Sequence, residues 1–285
     1  MRGMTGSESG LGWARSLLFV PGDRPERFAK AVDSGADAIV IDLEDAVAPD
    51  AKNVAREAAE RWLREGGQAI VRINGSGTQW HADDVALAAA CGCPVMLPKA
   101  CSASHVSEVA AELPPGTELI ALIETAAGVL AAPEICATDG VVRVAFGSID
   151  LAAELGINPE EHESMLYARS ALVMAAAAAG QATPVDGVTT ALNDADLLLA
   201  DAARAARLGF GGKLCIHPRQ VSAINAQFSP SQDEVAWARR VSAAVDGGAS
   251  VVDGRMVDKP VVERAARILQ RQSALAEESV ASALS

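Results

Sequence analysis

Leu17-Leu18-Phe19-Val20-Pro21-Gly22-Asp23-Arg24-Pro25 is an apolar run that stops at a Pro-Gly turn. A doubly wound sheet would place a G-x-G-x-x-G phosphate turn after such a first strand. No such turn follows here, which favours a closed barrel. Seven further β-rich runs continue the pattern: Ala38–Glu44, Ala69–Gly75, Pro94–Ala100, Glu118–Thr125, Val141–Ser148, Thr183–Val188 and Lys213–Pro218. Helical patterns such as Ala51–Arg64, Ala103–Glu112 and Tyr167–Ala179 lie between them. Strands alternating with helices make parallel βα units. Eight of them predict a (β/α)8 TIM barrel over residues 16–229, an ordinary size for that fold within a chain of 285 residues.

Residues 1–15 are rich in Gly and Ser and lack the apolar core of a secretory signal, so a flexible tail is expected there. Residues 230–285 exceed what a barrel needs. Pro230–Val245 reads as a helix, Gly247–Asp258 as a small hairpin and Lys259–Glu278 as a last helix with Pro260 in its first turn. This C-terminal helix–hairpin–helix extension is expected to cover the barrel mouth or the active site of a neighbouring subunit.

Half the residues are apolar, which supports a large core. No apolar run is long enough to span a bilayer, so no membrane partner is expected. The net charge of −13 repels phosphate backbones, which argues against nucleic acid. Five cysteines in mostly apolar surroundings read as reduced thiols of a cytoplasmic protein. Cys91 and Cys93 lack a second Cys or His pair and read as small buried residues. A phosphorylated cofactor would need a local basic cluster, and one exists near Arg24.

Barrel enzymes carry their chemistry at the C-terminal ends of the strands. The polar residues expected there are Asp42, Glu44, Asp45, Arg72, Asn74, Lys99, Glu124, Ser148, Asp150 and His217. Alternation puts Arg72 and Asn74 on one face, and Ile120, Leu122 and Glu124 on one face of the fifth strand. Glu124 and Asp150 then project from adjacent strands towards one mouth. Either alone reads equally as structural, Glu124 in an ion pair and Asp150 as a helix cap. Together they repel unless a cation lies between them, and an all-oxygen site with room for water suits Mg²⁺. Asp42 and Glu44 are expected to pair with Arg72 or to hold metal-bound water in a second shell, and Asp45 to cap a helix. Arg72, facing inward, fits a carboxylate or an oxyanion. His81, His105 and His162 are expected at the surface, and His217 to fix its loop. Lys99 among carboxylates should stay charged, which argues against a Schiff base.

Several motifs carry a family resemblance. They are Arg15-Ser16-Leu17-Leu18-Phe19-Val20-Pro21-Gly22, Asp42-Leu43-Glu44-Asp45-Ala46-Val47, Val71-Arg72-Ile73-Asn74, Leu122-Ile123-Glu124-Thr125-Ala126, Phe146-Gly147-Ser148-Ile149-Asp150-Leu151 and Gly212-Lys213-Leu214-Cys215-Ile216-His217-Pro218. In that order they resemble the citrate lyase β-subunit-like family, related to malyl-CoA and citramalyl-CoA lyases, over about Arg15 to Leu269. The resemblance implies a homotrimer or a dimer of trimers, Mg²⁺ on Glu124 and Asp150, and Arg72 at the substrate. It implies coenzyme A contacts from Phe19, Arg24, Arg27 and Lys30. It also implies an acid/base role for Asp258, in Gly254-Arg255-Met256-Val257-Asp258; as a structural group, Asp258 would cap the last helix. The expected activity is Mg²⁺-dependent cleavage or formation of a malyl-, citramalyl- or citryl-type acyl-CoA, with a keto acid and an acyl-CoA as the small-molecule partners. The alternatives are a citrate lyase β subunit that needs carrier partners, a pyruvate-type aldolase without coenzyme A, and a malyl-CoA thioesterase or malate synthase-like enzyme.

Overall fold

The computed structural model describes residues 10–246 and 251–283. The chain divides into two compact units, Met1–Gln227 and Phe228–Ser285.

In the first unit eight parallel strands close on themselves. They are β1 (Ser16–Pro21), β2 (Ala38–Asp42), β3 (Ile70–Arg72), β4 (Val95–Leu97), β5 (Leu119–Ile123), β6 (Val141–Phe146), β7 (Val185–Asp186) and β8 (Gly212–Cys215). β1 pairs with both β2 and β8, which seals the barrel. All eight expected strands are present. Each ends one to three residues before the end of its run, because those last residues turn to build loops instead of extending the ladder.

Leu17, Val40, Ile70, Met96, Ile120, Leu122, Ala145, Val185 and Leu214 fill the barrel interior. Each is nearly or fully buried, which stabilises by roughly 1.5–3 kcal/mol for a large aliphatic side chain. Side chains alternate along a strand, so Asp42, Arg72 and Glu124, two residues beyond Val40, Ile70 and Leu122, also face inward.

The tail expectation needs correction at its C-terminal end. Gly10–Trp13 forms one helical turn, and Leu11 and Ala14 pack on the interior cluster. Arg143 Nη1 donates to the carbonyls of Leu11 at 2.9 Å and Ala14 at 2.6 Å. An inward Arg at the N-terminal end of β6 needs acceptors, and this segment supplies them. Residues 1–9 lie outside the described residues.

Between sheet and helices, Asp186 takes Arg169 Nε at 2.8 Å and Lys213 Nζ at 3.1 Å. Burial pushes the Asp186 carboxyl up, but the two cations outweigh it and hold it below the usual carboxylate range.

The second unit contains the helices Gln232–Asp246 and Lys259–Ala283 and an antiparallel hairpin of β9 (Val251–Val252) and β10 (Arg255–Met256). Its turn is Asp253-Gly254, both with positive φ, at 51° and 73°. Such Asp-Gly pairs match the twist of a two-residue hairpin turn. Ala238, Val241 and Ala265 form its buried core. Gly247–Ser250, the start of the expected hairpin stretch, lies outside the described residues. Among the described residues no helix is long and apolar enough to cross a membrane.

Candidate active site

The C-terminal ends of β2, β3, β4, β5 and β6 bring a set of charged groups together. Asp42, the last residue of β2, is 1% exposed. Its carboxylate accepts four hydrogen bonds: from Glu44 N at 2.8 Å, Ala46 N at 3.0 Å, Arg72 Nε at 2.7 Å and Arg72 Nη2 at 2.6 Å. One carboxylate therefore shapes its own loop and grips the guanidinium by two points. Glu44 Oε2 lies 3.2 Å from Arg72 Nη1, and Asp45 lies 3.6 Å from the same nitrogen. The expected cap at Asp45 is not observed. The next helical turn begins only at Pro49, with Ala48 in the cap position, so Asp45 is exposed and faces Arg72. Burial opposes the charge on Arg72, but Asp42, Glu44 and Asp45 outweigh it and raise its pKa further. The Phe19 ring lies 4.7 Å from the Arg72 guanidinium carbon, within cation–π range. Phe19 thus lies against Arg72, a contact the sequence reading did not anticipate.

Glu124 follows β5 and is 2% exposed. Lys99 N donates to its Oε1 at 2.8 Å. Lys99 has φ of 52°, a left-handed conformation unusual for a side chain with Cβ. That conformation turns the backbone N–H towards Glu124, while Lys99 Nζ donates to Glu44 Oε1 at 3.1 Å. Burial pushes the Glu124 carboxyl up to about 8, and the charges of Glu44 and Asp150 and a hydrogen bond with Asp150 push the same way. Asp150 stands in the first turn of the helix Ser148–Leu155 after β6. A Cβ on Gly147 would collide with Glu124 Cβ and Oε2, so only glycine lets β6 end this close to Glu124.

The mouth therefore carries Asp42, Glu44, Asp45, Glu124 and Asp150 against the cations Arg72 and Lys99. Two carboxyls joined by a hydrogen bond need a proton or a cation between them. Among the described residues no three His, Cys, Asp or Glu side chains enclose a metal by themselves. An ion on Glu124 and Asp150 would keep positions for water and for ligand oxygens, a donor set that fits Mg²⁺.

A polar network backs the loop after β2. Lys52 Nζ donates to Leu43 O, Glu44 O and Asn74 Oδ1, each at 2.7 Å. Asn74 Nδ2 donates to Leu43 O at 2.9 Å and to Asp84 Oδ2 at 2.6 Å. His81 is buried, contrary to expectation, because its Nδ1 is held 2.8 Å from Asn74 O. His105 and His162 are half-buried, and His217 Nδ1 accepts from Arg219 N at 3.1 Å within its loop. Lys52 was not singled out from sequence, and a lone Lys opening a helix gives no signal of burial.

Arg24, Arg27 and Lys30 lie three residues apart after β1: Arg24 just before the exposed turn Pro25–Arg27, Arg27 at its end and Lys30 on the helix Phe28–Val32. The nearest acid to Arg24 is Asp23, at 3.9 Å. Asp258 is in the second unit. Its Oδ1 accepts from Val261 N at 3.2 Å, so it caps the last helix.

The profile described as HpcH/HpaI aldolase/citrate lyase matches residues 15–218. A citrate lyase subunit beta-like protein of Mycobacterium tuberculosis is 40% identical over 272 residues, covering 92% of this chain and 96% of that protein. A (3S)-malyl-CoA thioesterase of Cereibacter sphaeroides is 39% identical, covering 92% of this chain and 95% of that protein. The crystal structure of protein CitE from Mycobacterium tuberculosis, in complex with magnesium, acetoacetate and coenzyme A, superposes with a TM-score of 0.78 at 38% identity, covering 92% of this chain and 99% of that one.

Proposed function

The chain belongs to the HpcH/HpaI aldolase/citrate lyase family, and from that premise we propose that it is a Mg²⁺-dependent lyase acting on the coenzyme A thioester of a small 3-hydroxy acid. The observation that carries this reading is the hydrogen-bonded pair Glu124–Asp150, set beside an Arg72 held by Asp42. Glu124 and Asp150 would hold Mg²⁺, which when bound acts as a Lewis acid towards oxygens of the acid. Asp42 and Glu44 stand behind this site and hold Arg72. Loss of the 3-hydroxyl proton to solvent as the carbon–carbon bond breaks leaves a keto acid and the enolate of an acyl-CoA. Arg72 meets the negative charge on the enolate oxygen with the N–H groups that Asp42 leaves free. Asp258 returns a proton to the enolate carbon, and in the condensation direction it removes that proton. Arg24, Arg27 and Lys30 bind phosphates of coenzyme A, with Phe19 at the base of the same loop. The protein works in the cytoplasm as a homotrimer or dimer of trimers, each extension covering a neighbouring site.

A thioesterase reading is favoured by the relative from Cereibacter sphaeroides, which carries that activity in its name. One experiment separates the two. The purified chain is incubated with malyl-, citramalyl- and citryl-CoA, with and without Mg²⁺. A lyase releases a keto acid and keeps the thioester, whereas a thioesterase releases free coenzyme A thiol. Mg²⁺-independent turnover, or none on any of the three, would overturn the proposal.

A further inference from the structure

A second group stands on the barrel face that carries Glu124, and the proposed reaction does not use it. Ser76 lies four residues beyond β3, and Cys101 four beyond β4, two after Lys99. His105 sits in the first turn of the helix Ala103–Glu112, its N–H capped by Ser102 Oγ at 3.2 Å. Cys101 Sγ lies 3.6 Å from His105 Nδ1, and Ser76 Oγ lies 2.7 Å from His105 Nε2. The ring is thus held at both nitrogens. In the tautomer with hydrogen on Nε2, Ser76 accepts that hydrogen and Nδ1 offers its lone pair to the thiol. The Cys101 proton thus has an acceptor in reach, and the Ser76 oxygen faces the far side of the ring.

The other thiols differ. Burial pushes Cys93 and Cys215 up to about 12 and Cys136 up to about 11, and it raises Cys91 as well. Cys101 is exposed. Burial, followed by the charge of His81, lowers the His105 pKa.

We propose that Cys101 and His105, steadied by Ser76, form a thiol–imidazole pair that is a site of covalent modification by small disulfides of low-molecular-weight thiols. His105 Nδ1 takes the proton from Cys101 Sγ. The thiolate attacks one sulfur of the disulfide, a new S–S bond forms to Cys101, and the old S–S bond breaks. The leaving thiolate departs and collects the proton. One thiol is consumed and one is released, so no further oxidant is needed.

The test treats the native full-length chain with dithiodipyridine, follows pyridinethione release and maps the modified peptide by mass spectrometry. Readout does not depend on turnover, so it stands apart from the proposed reaction. One fast thiol is expected, at Cys101, absent in Cys101→Ser. His105→Gln slows that phase by about tenfold or more at neutral pH, because the thiol loses its base. Ser76→Ala, which keeps the ring, slows it several-fold. Should His105→Gln fail to fold, Ser76→Ala carries the test. Rates unchanged in the folded variants, or faster labelling of another cysteine, would overturn the proposal.

Discussion

Asp42 and Arg72 are locked face to face by two parallel hydrogen bonds, at 2.7 and 2.6 Å, across the register pair that joins β2 to β3. The fork of a guanidinium makes this grip, and an ammonium cannot reproduce it. Arg72→Lys should therefore lower kcat by about 10²–10³ while leaving the fold intact. Arg72→Ala should also destabilise the protein by roughly 3–5 kcal/mol, because Asp42 would be left buried and unpaired. Steady-state kinetics and urea unfolding of the two variants check both parts. Equal kcat in wild type and Arg72→Lys would show that the fork is dispensable.

Glu124 sets a pH dependence. Its carboxyl is raised from 4.5 to about 8 in the metal-free protein, first by burial. The folded protein keeps a proton there that the unfolded chain releases, so metal-free stability is greatest below the unfolded value and falls as pH rises through about 8. Mg²⁺ competes with that proton, so its affinity should rise with pH over the same window. Melting temperatures in chelator from about pH 5 to about pH 9 should fall, and added Mg²⁺ should restore them most at high pH. Glu124→Gln should flatten the part of this slope due to Glu124 and weaken Mg²⁺ binding. A calorimetric Mg²⁺ affinity unchanged in both Glu124→Gln and Asp150→Asn would remove the metal assignment.

Gly147 is where the end of β6 meets Glu124. Gly147→Ala would drive a methyl into Glu124 Cβ and Oε2, on a carboxylate whose other oxygen, Oε1, accepts from Lys99 N. Such overpacking costs typically about 1–3 kcal/mol. The carboxylate should tip away from Asp150, so Mg²⁺ affinity should fall more than thermal stability. Unchanged Mg²⁺ binding would mean that the site tolerates a wider strand end.

The eight strands and the inward placement of Asp42, Arg72 and Glu124 were legible because strand alternation has a period of two and the barrel interior is apolar. The order of motifs supplied the family. Features that depend on close approach were not legible. Nothing in Pro98-Lys99-Ala100 signals a left-handed Lys99 whose N–H serves Glu124. Nor does Lys52 announce that it will be buried beneath Leu43 and Glu44, since a chain pattern cannot show which carbonyls lack donors. The burial of His81 and the ordered turn at Gly10–Trp13 escaped for the same reason: each is fixed by one particular partner, Asn74 O for the ring and Arg143 for the turn, that no local pattern announces.

The basic group after β1 offers a salt-dependent test. Arg24, Arg27 and Lys30 are exposed and set against a strongly acidic chain. A triple Ala variant should raise KM for the thioester at low ionic strength, and the difference should shrink as added salt screens the wild-type contacts. Binding of the keto acid alone should not change. An unaltered KM at low salt would count against a coenzyme A role for this segment.

The proposed acid/base role of Asp258 can be assigned to its own barrel or to a neighbour's. In this chain it caps its own final helix and is exposed, so its carboxylate has room for a second partner. Glu124 belongs to the barrel unit and Asp258 to the other. Glu124→Gln and Asp258→Asn should each be nearly inactive, the first through the metal and the second through proton transfer. Asp258→Asn should still bind Mg²⁺ and keto acid. The two inactive variants are then unfolded and refolded together in equal amounts. In a closed ring with random assembly, each site draws its barrel and its cover from different chains, so a complete site arises with probability one half times one half, and about a quarter of wild-type activity should return. If Asp258 served its own barrel, every site in every mixed ring would carry one defect. Mass spectrometry establishes that mixed rings have formed. Mixed rings without activity would show that the extension does not complete a neighbour's site.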